Sequence, residues 1–275
     1  MDARLQRRVQ RYGWDLAADS YETLWQAQLA APQAELLARL APAHGEHVLD
    51  VACGTGLMAL QAARAVGPGG HVLGIDISER MVQAAQQRAQ ARQLTHLHLL
   101  RMDAEQLALD AASFDAVLCA FGLMYLPEPE RALQEAVRVL RPGGRAGFAV
   151  WGERAHCAWA ALFPIVDDEV ASEVCPLFFR LGQADTLARL CTQAGLTGVQ
   201  AYRMRATLRY ANGEEACQAA FAGGPVALAW ARMDAAARER ASSRYLQALA
   251  PWRSGPRYAV PAEFVIVTGR APHAG

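Results

Sequence analysis

Hydrophobic positions along the chain fall into two regimes. From residue 5 to residue 40 they recur at helical spacing, through Leu16, Tyr21, Leu24, Trp25, Leu29, Leu36, Leu37 and Leu40. Pro32 suits the first turn of a helix, so two helices are expected here, the second opened by that proline. After residues 42–46 a different pattern begins and repeats: short apolar strand, turn, helix. Residues 47–52 read as a strand running into a glycine loop at 53–56. Residues 57–66 read as a helix stopped by Gly67-Pro68-Gly69-Gly70. Strands follow at 71–76, 97–101, 114–120 and 145–151. Helices fall between them at 78–93, capped by Ser78, and at 129–140. This alternation predicts an α/β fold with a parallel sheet and helices on both faces.

The second half is less regular. Residues 152–182 form a polar and aromatic insertion. A helix is expected over about 184–194, a strand over 199–210, a helix capped by Asp234 running to about 249, and a last strand at 263–270. No repeat or low-complexity linker divides the 275 residues, so one domain is the simplest organisation. Within it, residues 1–45 read as a helical lid and 46–151 as the ligand-binding half. Residues 152–182 read as a substrate cover and 183–271 as the rest of the sheet.

Composition narrows the function classes. No apolar run approaches the roughly 20 residues of a membrane span, and the arginine-rich start, residues 1–10, has no apolar segment behind it; a cytoplasmic location is expected. Positive and negative side chains balance at 27 each, so no global field recruits nucleic acid or anionic lipid. All 27 basic residues are arginine, which excludes Schiff-base and P-loop lysine chemistry. The six cysteines have neither C-x-x-C nor zinc-finger spacing. They are expected to be reduced packing residues, with no metal site.

The chemistry sits in Val48-Leu49-Asp50-Val51-Ala52-Cys53-Gly54-Thr55-Gly56, a strand running directly into a glycine loop and a helix. Glycines let a ligand approach backbone closely, and in an open parallel sheet ligands bind beyond the carboxyl ends of the strands. Asp76 ends the next strand, 20 residues after Gly56, where an acid can accept from both hydroxyls of a ribose. Together these indicate an adenosine-containing cofactor. A pyrophosphate would be repelled by Asp50, four residues before Gly54; a cationic ligand would not.

This segment resembles motif I of class I S-adenosylmethionine-dependent methyltransferases, and further segments follow in the family's order. Gly74-Ile75-Asp76-Ile77-Ser78 is similar to the ribose-binding motif, and Met102-Asp103-Ala104-Glu105 to the adenine-contacting segment. Phe114-Asp115-Ala116-Val117 opens the fourth strand, and Arg138-Val139-Leu140-Arg141-Pro142-Gly143-Gly144 is similar to the turn before the fifth. The group it most resembles contains the ubiquinone and menaquinone C-methyltransferases. Two positions differ from that group: Leu57 replaces an acidic residue, and residues 120–126 share only a Phe-Gly-Leu core. The Asn/Asp-Pro-Pro-Tyr/Phe segment of nucleobase and amide methylating enzymes is missing, which argues against nucleic-acid substrates.

The resemblance implies a Rossmann-like, doubly wound, seven-stranded sheet with an antiparallel last strand. It implies S-adenosylmethionine as cofactor and a small organic acceptor. Gly54, Thr55 and Gly56 would line its methionine part, with Asp50 nearby. Asp76 would hold the ribose, Ile77 and Met81 would pack on the adenine, and Asp103, with Ala104 beside it, would accept from the adenine amino group. Ala120 and Phe121 would lie beside the sulfonium, and Tyr21 would close over it. A carbon or oxygen acceptor would also need proton removal, for which His156 and Tyr125 are the candidates. Two other functions fit the same pattern: an NAD-dependent oxidoreductase on a Rossmann fold, and a protein that binds S-adenosylmethionine without catalysis.

Overall fold

A computed structural model describes residues 3–170, 175 and 177–273. The alternating half folds as its pattern predicts. Strands β1 (His47–Val51), β2 (His71–Asp76), β3 (Leu97–Arg101), β4 (Phe114–Ala120) and β5 (Leu140–Trp151) are parallel neighbours in the order β3-β2-β1-β4-β5. Strands β6 (Thr197–Tyr210) and β8 (Arg257–Arg270) complete the sheet, with β8 antiparallel to both β5 and β6. A two-residue strand, β7 (Arg253–Ser254), pairs with β8 and makes eight strands where seven were expected. The last strand is longer than predicted because β6 pairs with it as far as Tyr258 and β7 carries it to Arg257.

Helix α1 (Ala3–Leu40) corrects one expectation. It is a single helix, with Pro32 inside it rather than opening a second one. Proline removes one intrahelical hydrogen bond. Burial of Pro32, together with Leu29, Gln33 and Leu36 around it, keeps both halves on the core. Leu36 and Leu40 fill the space over Gly147 of β5, where a Cβ would lie 2.8 Å from a Leu36 methyl carbon. The side-chain amide of Gln28 clasps β6 from both sides, donating to the Arg209 carbonyl at 2.6 Å and accepting from the Arg209 N–H at 2.9 Å.

Four helices connect the sheet's first half or follow it: α2 (Leu57–Val66), α3 (Glu79–Ala91), α4 (Pro129–Val139) and α5 (Leu162–Val170). Ala59, Ala62 and Ala63 let α2 lie close on the sheet. Ser78 caps α3 as expected, its hydroxyl accepting from the Met81 N–H at 3.1 Å. The acids of α1 are tied to α3: Asp15 accepts from the Ser78 hydroxyl at 2.6 Å, Asp19 pairs with Arg80 at 2.6 Å, and Glu22 with Arg88. The remaining helices are α6 (Thr186–Gln193), α7 (Gly213–Cys217), α8 (Ala227–Arg232) and α9 (Ala235–Ala248), the last capped by Asp234 as predicted.

The 152–182 insertion contains α5, which periodicity alone did not single out; residues 171–174 and 176 of it lie outside the described residues. Trp159, Phe163, Phe178 and Phe179 are buried and pack on one another at ring distances of 4.8–5.8 Å. These aromatics cap the core as one cluster. All six cysteines are free.

Candidate active site

A cleft opens where the sheet order reverses, between the carboxyl ends of β1 and β4, the place an open α/β sheet offers a ligand. Two residues with left-handed backbone splay the chains there: Ala52 after β1, with φ of 55°, and Phe121 after β4, with φ of 65°. Such conformations cost non-glycine residues about 1–3 kcal/mol and persist where the surroundings enforce them. Gly122 makes the close approach possible, since a Cβ on it would lie 2.4 Å from the Ala52 Cβ. The cleft spans about 730 Å³ of space between atoms, the solvent at its mouth included.

Asp76 closes one side. It is 8% exposed, and one carboxylate oxygen accepts from the Gly54 N–H and the other from the Ser78 N–H, each at 2.9 Å. Burial pushes its pKa up to about 6 against these hydrogen bonds. The glycine loop and the α3 cap thus hold one carboxylate at the cleft wall.

Nine of the residues singled out from sequence line this cleft: Tyr21, Gly54, Asp76, Ile77, Met81, Asp103, Ala104, Ala120 and Phe121. Tyr125 lines it as well. Asp50, Thr55 and Gly56 do not line it. Asp50 is buried and accepts from the Ala59 N–H, and burial raises its pKa well above the ordinary value. Its Oδ2 has no hydrogen-bond partner, nor has the buried Thr55 hydroxyl. Gly56, with φ of 86°, starts α2 and packs against Ala85.

The expected base His156 is not at this cleft. It lines a separate groove with Arg154 and Arg205, and its Nδ1 lies 3.0 Å from Oε1 of Glu263. The strand register explains the misplacement. Trp151 pairs with Phe264 and both rings pack toward Phe121, whereas the chain that follows turns to the neighbouring residue, with the Gly152 N–H on the Glu263 carbonyl at 2.6 Å. Burial holds the Tyr125 hydroxyl pKa well above 10, which favours its protonated form, able to donate and accept a hydrogen bond.

Arg7, Gln10 and Trp14 were not among the residues expected from sequence; all three line the cleft from α1. Residues 7, 10, 14 and 21 share one helical face, and that spacing was the available signal. Arg7 spans the cleft edge. It pairs with buried Glu105, lies 3.3 Å from Asp103 and 3.3 Å from Glu128. A narrow aromatic-lined chamber adjoins the cleft through Trp14, Tyr21, Phe121 and Tyr125 and continues to Trp25, Trp151 and Trp159. The Trp25 indole N–H is buried without a partner.

Residues 48–144, about a third of the chain, match the family model described as a methyltransferase domain. A demethylmenaquinone methyltransferase of Geobacillus kaustophilus is 40% identical over 110 residues, covering 40% of this chain and 47% of that protein. The chain thus spans less than half the length of the curated relatives it matches. Among solved structures, the YcgJ protein of Bacillus subtilis is similar with a TM-score of 0.64 at 18% identity, over 89% of this chain and all of that one. Phosphoethanolamine N-methyltransferase 2 of Haemonchus contortus, solved with S-adenosylhomocysteine, has a TM-score of 0.62 at 17% identity, over 94% of this chain and 58% of that one. At such identities these two share the fold, and they bear out the expected Rossmann-like sheet.

Proposed function

We propose, from the premise that residues 48–144 are a methyltransferase domain, that the protein transfers a methyl group from S-adenosylmethionine to a small organic acceptor. The observation that carries this reading is the buried Asp76 carboxylate, fixed by the glycine-loop and α3 N–H groups at the wall of a switch-point cleft. Each Asp76 oxygen keeps a free lone pair for a ribose hydroxyl. Ile77, Met81, Met102 and Ala104 offer apolar surface for an adenine, and Asp103 an acceptor for its amino group. The bound cofactor would supply an electrophilic methyl group. The protein's part is to hold the acceptor in line with that methyl and to keep water out. Trp14, Tyr21, Phe121 and Tyr125, the walls common to cleft and chamber, are the residues we assign to that task.

The aromatic chamber supports a flat, unsaturated acceptor. The relatives are named for demethylmenaquinone, a compound of that shape, and Trp25 offers an N–H to an acceptor oxygen. Tyr125, kept protonated, would donate to such an oxygen rather than remove a proton. Six free thiols suit a reducing, cytoplasmic setting. Calorimetric titration with S-adenosylmethionine, S-adenosylhomocysteine and NADH tests the reading. Binding of both adenosyl ligands and not NADH is expected, with Asp76→Ala weakening it by about 1.5–3 kcal/mol. Binding of NADH alone, or unchanged affinity in folded Asp76→Ala, would overturn it.

A further inference from the structure

The outer side of α1 carries chemistry that the cleft does not use. Leu5, Val9, Tyr12 and Leu16 recur at intervals of four, three and four, which places them on one line along the helix. They are 41%, 40%, 50% and 47% exposed, and they are four of the seven large hydrophobic residues exposed among the described residues. Residues 10, 14 and 21 fill the inner side against the cleft. A surface helix ordinarily turns its apolar stripe inward; this one has a second stripe outward, a pattern that marks an interaction surface.

Charge beside the stripe says what kind. Arg8 is exposed next to it, and Arg11 is half-buried over the Tyr12 ring at 5.7 Å, with its Nε buried and unpartnered. Both line a shallow groove with Tyr12, Arg101 and Asp103, the last already facing Arg7 at 3.3 Å. The acids that follow on α1 do not neutralise them, because Asp15, Asp19 and Glu22 are engaged by Ser78, Arg80 and Arg88 of the α3 region. A chain with no net charge therefore concentrates positive charge beside an exposed apolar row.

We infer that this face of α1 docks on the surface of an anionic lipid bilayer. Leu5, Val9, Tyr12 and Leu16 enter the boundary between headgroups and acyl chains, and Arg8 and Arg11 meet lipid phosphates. From residue 5 to residue 16 the row is about 16 Å long, which suits a helix lying in the membrane plane. A second copy docked by the same face would cover the apolar row but set these arginines against one another. A bilayer supplies both the apolar depth and the negative charge. The inference rests on this surface alone and is independent of the methyl-transfer reading.

Co-sedimentation of the full chain with vesicles tests it. Vesicles of phosphatidylcholine mixed with phosphatidylglycerol should carry the protein down, and vesicles of phosphatidylcholine alone should not. The double variants Leu5→Glu/Val9→Glu and Arg8→Glu/Arg11→Glu should each lower partitioning about tenfold or more. Both should stay folded by circular dichroism, since Leu5, Arg8 and Val9 are exposed and Arg11 is half-exposed. No binding to the anionic vesicles, equal binding to neutral ones, or wild-type partitioning by both variants would overturn the inference. So would a lipid-free dimer, seen by sedimentation equilibrium, that Leu5→Glu/Val9→Glu dissolves, because the stripe would then belong to a second copy.

Discussion

Asp76 has a pKa pushed up to about 6 by burial, close enough to neutrality to be measured through its ligand. Above that value it is a carboxylate and accepts from two hydroxyls; below it, a proton takes one of those lone pairs. Affinity for S-adenosylhomocysteine should therefore fall as pH drops through about 6, and calorimetry from pH 5 to pH 8 should trace the fall. Asp76→Asn should bind weakly with no such pH dependence. Asp76 was legible in the sequence because its position depends on local facts, the end of a strand and the start of a capped helix. Arg7 was not: it reaches Glu105 across 98 residues, and only the docking of α1 brings the two together. Asp50 shows the limit of spacing as a guide. Its place in the motif is clear, yet the side chain is buried and does not line the cleft.

Among the elements, α3 depends on one hydroxyl for two tasks. Ser78 caps the helix at the Met81 N–H and donates to Asp15 of α1. Ser78→Ala should cost about 1–2 kcal/mol, the range of a lost N-cap. Thermal melting should show it, at about 2–4 °C per kcal/mol for a domain of this size. A melting temperature equal to wild type would mean that the cap is replaced by solvent and that Asp15 anchors nothing. The strands and helices from 47 to 139 were legible because each is short, strongly apolar on its buried side and bounded by Gly, Pro or a capping residue. Helix α1 was read as two because Pro32 is a helix breaker by local chemistry; the packing of its buried neighbours outweighs one lost hydrogen bond.

Across the whole molecule, Glu263 is a junction. Its side chain is 4% exposed and holds Arg203 at 2.8 Å, His156 at 3.0 Å and the Glu153 N–H at 3.1 Å, joining β8, β6 and the insertion. Burial alone would raise its pKa, but these partners outweigh it and the net shift is downward. A carboxylate with a depressed folded pKa adds stability above its ordinary value of 4.5 and loses it as pH falls further. Glu263→Gln should thus cost about 1–3 kcal/mol at pH 7, less than the roughly 3–5 of a fully buried pair because Arg203 is a third exposed. In denaturant titrations the gap to wild type should close below pH 4.5; a gap that persists in acid would assign the loss to packing. No local pattern announced this junction or kept His156 from the active-site candidates, since both follow from strand register. Register also decides how the cleft can open. The Gln28 clasp on Arg209 and the leucines over Gly147 make the carboxyl-terminal part of α1 a fixed mount. Ahead of that mount the helix projects over the cleft as a cantilever, stayed along its length by Asp15, Asp19 and Glu22 on the α3 region and near its tip by Arg7. Those stays are what would have to part for the free length of the beam to lift from the cleft.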